Sequence, residues 1–370
     1  MRYDKYQISY IFMLLIVIIN ISCNLQKRKS FIEMFEQAPP IIIQKEEKLV
    51  EQLDPTAIYL MNDVLFLHSR GTDNNLFSII DTSNFKEIVR FGVQGRGPME
   101  IGLCGFISKI NPDSILILDV TDYEVYLYSI KNIIKGNLLP SKVFRTKKNS
   151  NDYVKCNSLN MIGIKNDEII GTGIFSEGRY ALFDSMGLVK DYYVKYPEFK
   201  GSAADENPFI CAMAYQAFLC KQPKGRLLAG LDYGIMDIIE YYPDKGIQLK
   251  YRNEYIKNEM RAEGNFNVDG VSYPSVSHSR KSVVGFDLRH FQGTNKFIYC
   301  LYSSLSFEEI GFHAKLKFKD LLTFNWKGKP QYHYTIDREV YGFSVSDDNK
   351  TVYFLSYDDN DEPTIIKAKL

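Results

Sequence analysis

Six times along the chain, a polar turn residue opens a short run of mostly apolar positions. The copies begin at Asn62, Asp113, Asp167, Gly225, Asn295 and Asn349, and their mean spacing is about 57 residues. A less regular apolar run precedes the main one at Phe106–Ile110, Leu159–Ile164 and Tyr341–Val345. A third run follows, then a tight turn, then a fourth. The turns read Asp81–Asn84, Asp184–Gly187, Pro243–Gly246 and Lys327–Pro330, built from residues that favour hairpin corners. Strands beside them alternate polar and apolar, as in Ile247–Tyr251 and Gln331–Ile336, the period of a half-buried strand. Helical periodicity is nearly missing; Ser30–Gln37 is the best short stretch.

Six units of four short strands predict an all-β chain: a six-bladed β-propeller of four-stranded antiparallel blades. A pair of sandwiches or an irregular barrel would not repeat so evenly. The last copy supplies strands near 341–346, 351–357 and 363–369 and then the chain ends. Ile41–Val50 is the segment left to complete it, so the N- and C-terminal strands are predicted to share the last blade. Such closure removes the open edges of a linear stack. The fifth unit is the longest. Its excess, Tyr255–Ser282, reads as an inserted loop on one face, where binding tends to sit.

The start of the chain has a different pattern. Arg2 and Lys5 precede nine apolar residues, Ile11–Ile19, and then Asn20, Ile21, Ser22 and Cys23. A basic start, a short apolar centre and a small residue before the break describe a secretory signal. The stretch Ile8–Ser22 is shorter than the roughly twenty residues of a spanning helix, which leaves a permanent membrane span as the second reading. The expected organisation is 1–22 signal peptide, 23–40 lipidated Cys and tether, and 41–370 propeller.

Composition narrows the function. The 370 residues carry 45 Lys+Arg and 45 Asp+Glu, a net charge of zero, which argues against nucleic acid as the main partner. Aromatic residues make up 14%, with 26 Tyr and 24 Phe, in keeping with pleated, half-buried surfaces. Beyond Cys23 stand Cys104, Cys156, Cys211, Cys220 and Cys300, an odd set without CxxC spacing. Cys211 and Cys220 are close enough in sequence to pair; the other reading makes all five small buried apolar side chains.

Two segments carry resemblances. Ile21-Ser22-Cys23 resembles the lipobox of bacterial lipoproteins, with Asn20 where the pattern prefers an aliphatic residue. That resemblance implies lipidation of Cys23 and cleavage before it. Phe91–Glu100 resembles the first inter-blade loop of the TolB-like six-bladed propeller lipoproteins of Bacteroides-type bacteria, typically Gly-x-Gly-Pro-Gly-Glu. Gly95, Arg96, Gly97, Pro98 and Glu100 match; Met99 replaces a glycine. The resemblance implies the same fold and a cell-envelope location, and no particular reaction. In the loop, Gly95 and Gly97 permit positive φ and Pro98 fixes its own. Glu100 then either accepts backbone N–H groups and locks the turn, or faces a ligand with Arg96 at the channel mouth. A glycine position filled by Met99 would cost roughly 1 kcal/mol if its φ is positive.

Motifs for chemistry are scarce. None of the five histidines forms HExxH, and GxSxG, GxGxxG and the P-loop do not occur. His278 stands in the Ser-rich stretch Ser272–Arg280. Asp358–Glu362 lacks EF-hand spacing and reads as a solvated hairpin turn. No cofactor, metal site or catalytic residue is expected. The chain is expected to be a lipid-anchored cell-envelope module that binds or scaffolds a saccharide, peptide or protein, without catalysis of its own. Arg96, Glu100 and His278 are the binding candidates. The alternative is a metal-dependent hydrolase or lactonase with carboxylates converging on the central channel.

Overall fold

The computed structural model describes residues 30–49, 53–69, 74–147, 158–164, 168–198, 208–257, 260–268, 271–311 and 316–370. Each apolar repeat forms the second strand of a four-stranded antiparallel sheet. Blade 1 runs Pro55–Met61, Val64–Ser69, Asn75–Asp81 and Glu87–Val93. Blades 2, 3 and 4 have second strands Ser114–Asp119, Ile169–Gly173 and Leu227–Leu231. Blade 5 pairs Val283–Gly293, Ile298–Ser306, Phe318–Phe324 and the start of Pro330–Val345. That long strand crosses over as the first strand of blade 6. Thr351–Tyr357 and Pro363–Lys369 follow it.

The reason the second strands are continuously apolar is visible in the packing. A strand sends successive side chains to opposite faces, and here both faces are buried. Leu65 and Leu67 pack towards blade 6 with Tyr353, Leu355 and Ile365. Phe66, between them, packs towards blade 2 with Ile115 and Ile117. The same division recurs between blades 2 and 3, 3 and 4, 4 and 5, and 5 and 6. Six interface cores therefore close a ring, and six innermost strands surround its axis.

The ring is sealed as the alternation predicts. Ile42–Lys48 pairs antiparallel with Pro363–Lys369 as the fourth strand of blade 6. Lys48 Nζ reaches Asp358 at 2.6 Å and Glu362 at 2.7 Å, and Asp358 Oδ1 accepts from the amides of Asn360 and Glu362, both at 2.9 Å. The acidic run is a hairpin turn tied to the closing strand by a lysine.

Residues 31–40, read above as part of a tether, are seated on the blades. Phe31 lies 5.5 Å from Tyr255, 5.6 Å from Phe286 and 5.2 Å from Tyr302, ring centre to ring centre. Phe35 joins the core between blades 4 and 5, and Glu36–Gln37 pairs in parallel with Tyr332–His333. The stretch read as helical holds one 3-10 turn, Ile32–Met34. The inserted loop is a β-hairpin over most of its length, Met260–Val268 with Val271–His278. Cys104, Cys220 and Cys300 are free thiols. The segment read as a signal peptide, Cys23 and Cys156 lie outside the described residues.

Candidate functional site

The innermost strands enclose a cavity of about 540 Å³ on the ring axis. Every blade contributes to its wall. Tyr59, Phe106, Ile110, Leu219, Phe291 and Phe343 are among the apolar and aromatic side chains that line it. Most polar groups on the wall are spent on joining neighbouring blades. Tyr59 donates to Ile107 O at 3.1 Å. Gln292 donates to Val345 O at 2.7 Å and accepts from Val345 N at 2.8 Å. Ser344 Oγ accepts from Leu60 N at 2.8 Å.

Charged groups on the wall are mostly cationic. Lys109, from blade 2, donates to Leu60 O at 3.0 Å and lies 3.7 Å from Asp347. Lys221, from blade 4, donates to Gly163 O at 2.8 Å. Burial lowers the affinity of both ammonium groups for their protons. For Lys221, burial reinforced by the charge of Lys109 pushes the pKa down to about 8. Asp348 is occupied by Ser346 Oγ at 2.6 Å and Lys350 N at 3.1 Å.

Blade 5 adds a buried dyad. His290 Nδ1 lies 2.6 Å from Asp287 Oδ2, while its Nε2 is buried with no hydrogen-bond partner among the described residues. Burial opposes ionisation of Asp287, but His290 and Arg289 outweigh it and hold the carboxyl below its usual range. Residues three apart on a regular strand face opposite sides. Here a register irregularity between Phe286 and Phe291 brings them together. Cys220 also lines the cavity, its thiol kept protonated by burial.

A family model described as TolB-like 6-blade propeller-like matches residues 43–348. The chain belongs to this TolB-like family. Its fold is similar to that of a DUF4221 family member from Bacteroides vulgatus, with a TM-score of 0.57 and 13% identity over 89% of this chain and 97% of that one. It is also similar to a Bacteroides fragilis protein described as exported, with a TM-score of 0.50 and 11% identity over 93% and 97% of the two chains. No curated protein matches the chain.

The TolB-like loop is a folded unit of its own. Glu100 Oε2 accepts from Gly97 N at 2.7 Å. A Cβ on Gly95 would stand 2.0 Å from the same oxygen, so these glycines are needed for close approach of the carboxylate, not for positive φ. The positive φ belongs to Met99, at 66°, and its side chain is exposed. Met99→Gly removes a left-handed penalty of 1–2 kcal/mol and adds some chain entropy to the unfolded state. The expected outcome is a net gain of about 0.5–1 kcal/mol in a denaturant titration.

None of the sequence candidates is on the cavity wall. Glu100 is committed to its loop and Arg96 lies beside it. His278 sits between Tyr233, at 4.3 Å, and Phe307, stacked at 5.7 Å, and burial lowers its pKa. Among the described residues no group of three or more His, Cys, Asp or Glu side chains converges, so the carboxylate ring that a lactonase reading requires is not found there. Lys109, Lys221, Asp287 and His290 were missed. A lone lysine inside each of two apolar inner-strand runs was the available signal.

Proposed function

We propose that this TolB-like propeller is a ligand-binding module of the cell envelope, anchored through a lipidated Cys23, and that its ligand enters the axial cavity. The observation that carries the reading is the cavity itself. Its volume lies in the range of small-molecule sites, its wall is largely apolar, and a few polar groups are placed to orient an occupant. The signal-like start, the lipobox and the fold shared with a protein described as exported support the envelope location. Apolar walls favour an apolar or aromatic moiety, such as a peptide side chain, over a bare polyol. Scaffolding of a protein partner on the blade faces is compatible with the same anchor.

The cavity reading is tested by thermal shift against a panel of small aromatic compounds. A binder is expected to raise the melting temperature of the full chain. Ile110 is half-buried on the wall, so Ile110→Trp should fill the cavity and abolish the shift while the variant still unfolds cooperatively. Shifts that persist in that variant would move the site elsewhere. For the anchor, Cys23→Ser should release the protein from the membrane fraction; unchanged retention with normal processing would refute lipidation.

A further inference from the structure

We infer that the axial cavity is built for a small carboxylate carried on an apolar or aromatic body, its carboxylate held between the Lys109 and Lys221 ammonium groups. The inference rests on the binding-site reading above and names the ligand's chemistry. Lys221 has no carboxylate within 4.0 Å among the described residues; a backbone carbonyl is its partner. An ammonium carries three donors, so one carbonyl does not exhaust it. Lys109 shares Asp347 at 3.7 Å, a contact too long for a hydrogen bond, and Asp347 is itself half-exposed. The cavity wall is largely apolar and offers little in place of water. Two like charges in one enclosed space are costly unless an anion joins them.

Two ammonium groups face the cavity, and the carboxylate nearest them, Asp347, is half-exposed and screened by water, so the wall favours an anion. Arg289 is half-exposed and leans on the buried Asp287 at 3.5 Å, so water screens it. Asp348 is exposed and turned to Ser346 and the Lys350 amide, so water screens it. Lys224 lies in the turn after the blade 4 inner strand and is exposed, so water screens it. A neutral sugar would leave the ammonium donors unmatched. A carboxylate accepts charge-assisted hydrogen bonds from both lysines, and Phe106 and Phe291 can take the apolar body.

The two lysines also tie adjacent blades together, so loss of stability alone would prove nothing. The informative comparison is acid against amide. Calorimetry on the full chain at pH 7 would use 3-phenylpropanoate and 3-phenylpropanamide, which differ in charge and little in shape. The acid is expected to bind about tenfold more tightly or better, the difference one charge-assisted contact makes. Lys221→Met and Lys109→Met should each remove most of that preference by weakening the acid more than the amide, and Lys221→Arg should retain it. N-acetylglycylphenylalanine and its C-terminal amide separate the sources. Preference for the peptide acid assigns the carboxylate to a chain end, and binding of the free acid alone assigns it to a small organic acid. Equal binding of acid and amide, lost in Ile110→Trp, would overturn the anion assignment while the cavity stands. Binding by neither compound, wild type and Ile110→Trp behaving alike, would overturn both.

Discussion

Arg179→Met is expected to lower the unfolding free energy by about 3–5 kcal/mol, because it strips the counter-charge from buried Asp232 and one of two guanidinium groups from buried Asp237. Arg179 stands just before the third strand of blade 3 (Tyr180–Phe183) and its side chain is 1% exposed. It donates to Asp237 at 2.7 Å and Asp232 at 2.6 Å, both on blade 4. Arg252 also holds Asp237, and Tyr180 donates to it at 3.0 Å. The four charged groups form one network across the blade 3–blade 4 interface. Removal of one guanidinium leaves Asp232 with two backbone amides, from Gly234 and Ile235, and no cation. The midpoint of a denaturant titration measures the loss. Replacing Arg179, Asp232 and Asp237 together by leucine or methionine should cost less than the single change, since no buried carboxylate is left without a cation and Arg252, released from Asp237, reaches water.

The two carboxylates have opposite pH signatures. Burial raises Asp237, but Arg179 and Arg252 outweigh it and hold its pKa below the usual value. Its contribution is therefore fully present above about pH 4 and is lost as the pH falls through its depressed pKa. Burial dominates at Asp232, which has one guanidinium, and raises its pKa. Asp232 takes up its proton first on acidification and partly offsets the loss at Asp237. In Arg179→Met both carboxyl groups lose a cation that lowers their pKa, so both titrations shift upward and the variant's stability should begin to change at a higher pH than that of the wild type.

The architecture was legible because its most regular feature is also its most buried one. Second strands such as Ile115–Leu118 have neighbours on both faces and must be apolar at every position. Turns were legible through residues whose side chains cap them, as Asp184 Oδ1 does for the amides of Met186 and Leu188. The site was far less legible. Lys109 and Lys221 are single residues in short runs, and nothing local says that two inner strands 112 positions apart face one cavity. The Asp287–His290 contact depends on a bulge that strand periodicity does not announce. Arg179 and its carboxylates meet only because neighbouring blades pack. The seating of Phe31 and Phe35 was hidden by the polar run before them, which reads as a tether until their aromatic partners are seen.

A chain that begins at Glu51 is expected to lose about 3–7 kcal/mol relative to one that begins at Ile41. The deleted part contains the seven-residue closing strand Ile42–Lys48, and each lost ladder hydrogen bond contributes about 0.5–1.5 kcal/mol. It also removes the Glu46–Arg338 pair at 2.7 Å, Lys48 from the acidic hairpin, and Leu49 from the core between blades 6 and 1. The exposed strand Pro363–Lys369 becomes an edge, and an edge with Ile365 and Ile366 invites pairing with a second copy. Gel filtration should therefore show association, and hydrogen exchange should rise first in blade 6. A peptide of residues 41–50 supplied in excess should bind that edge, restore protection of Thr351–Tyr357 and Pro363–Lys369, and suppress association. If the shorter chain is as stable and monomeric as the longer one, strand pairing across the termini is not what holds the ring shut, and the interface core between blades 6 and 1 must suffice by itself.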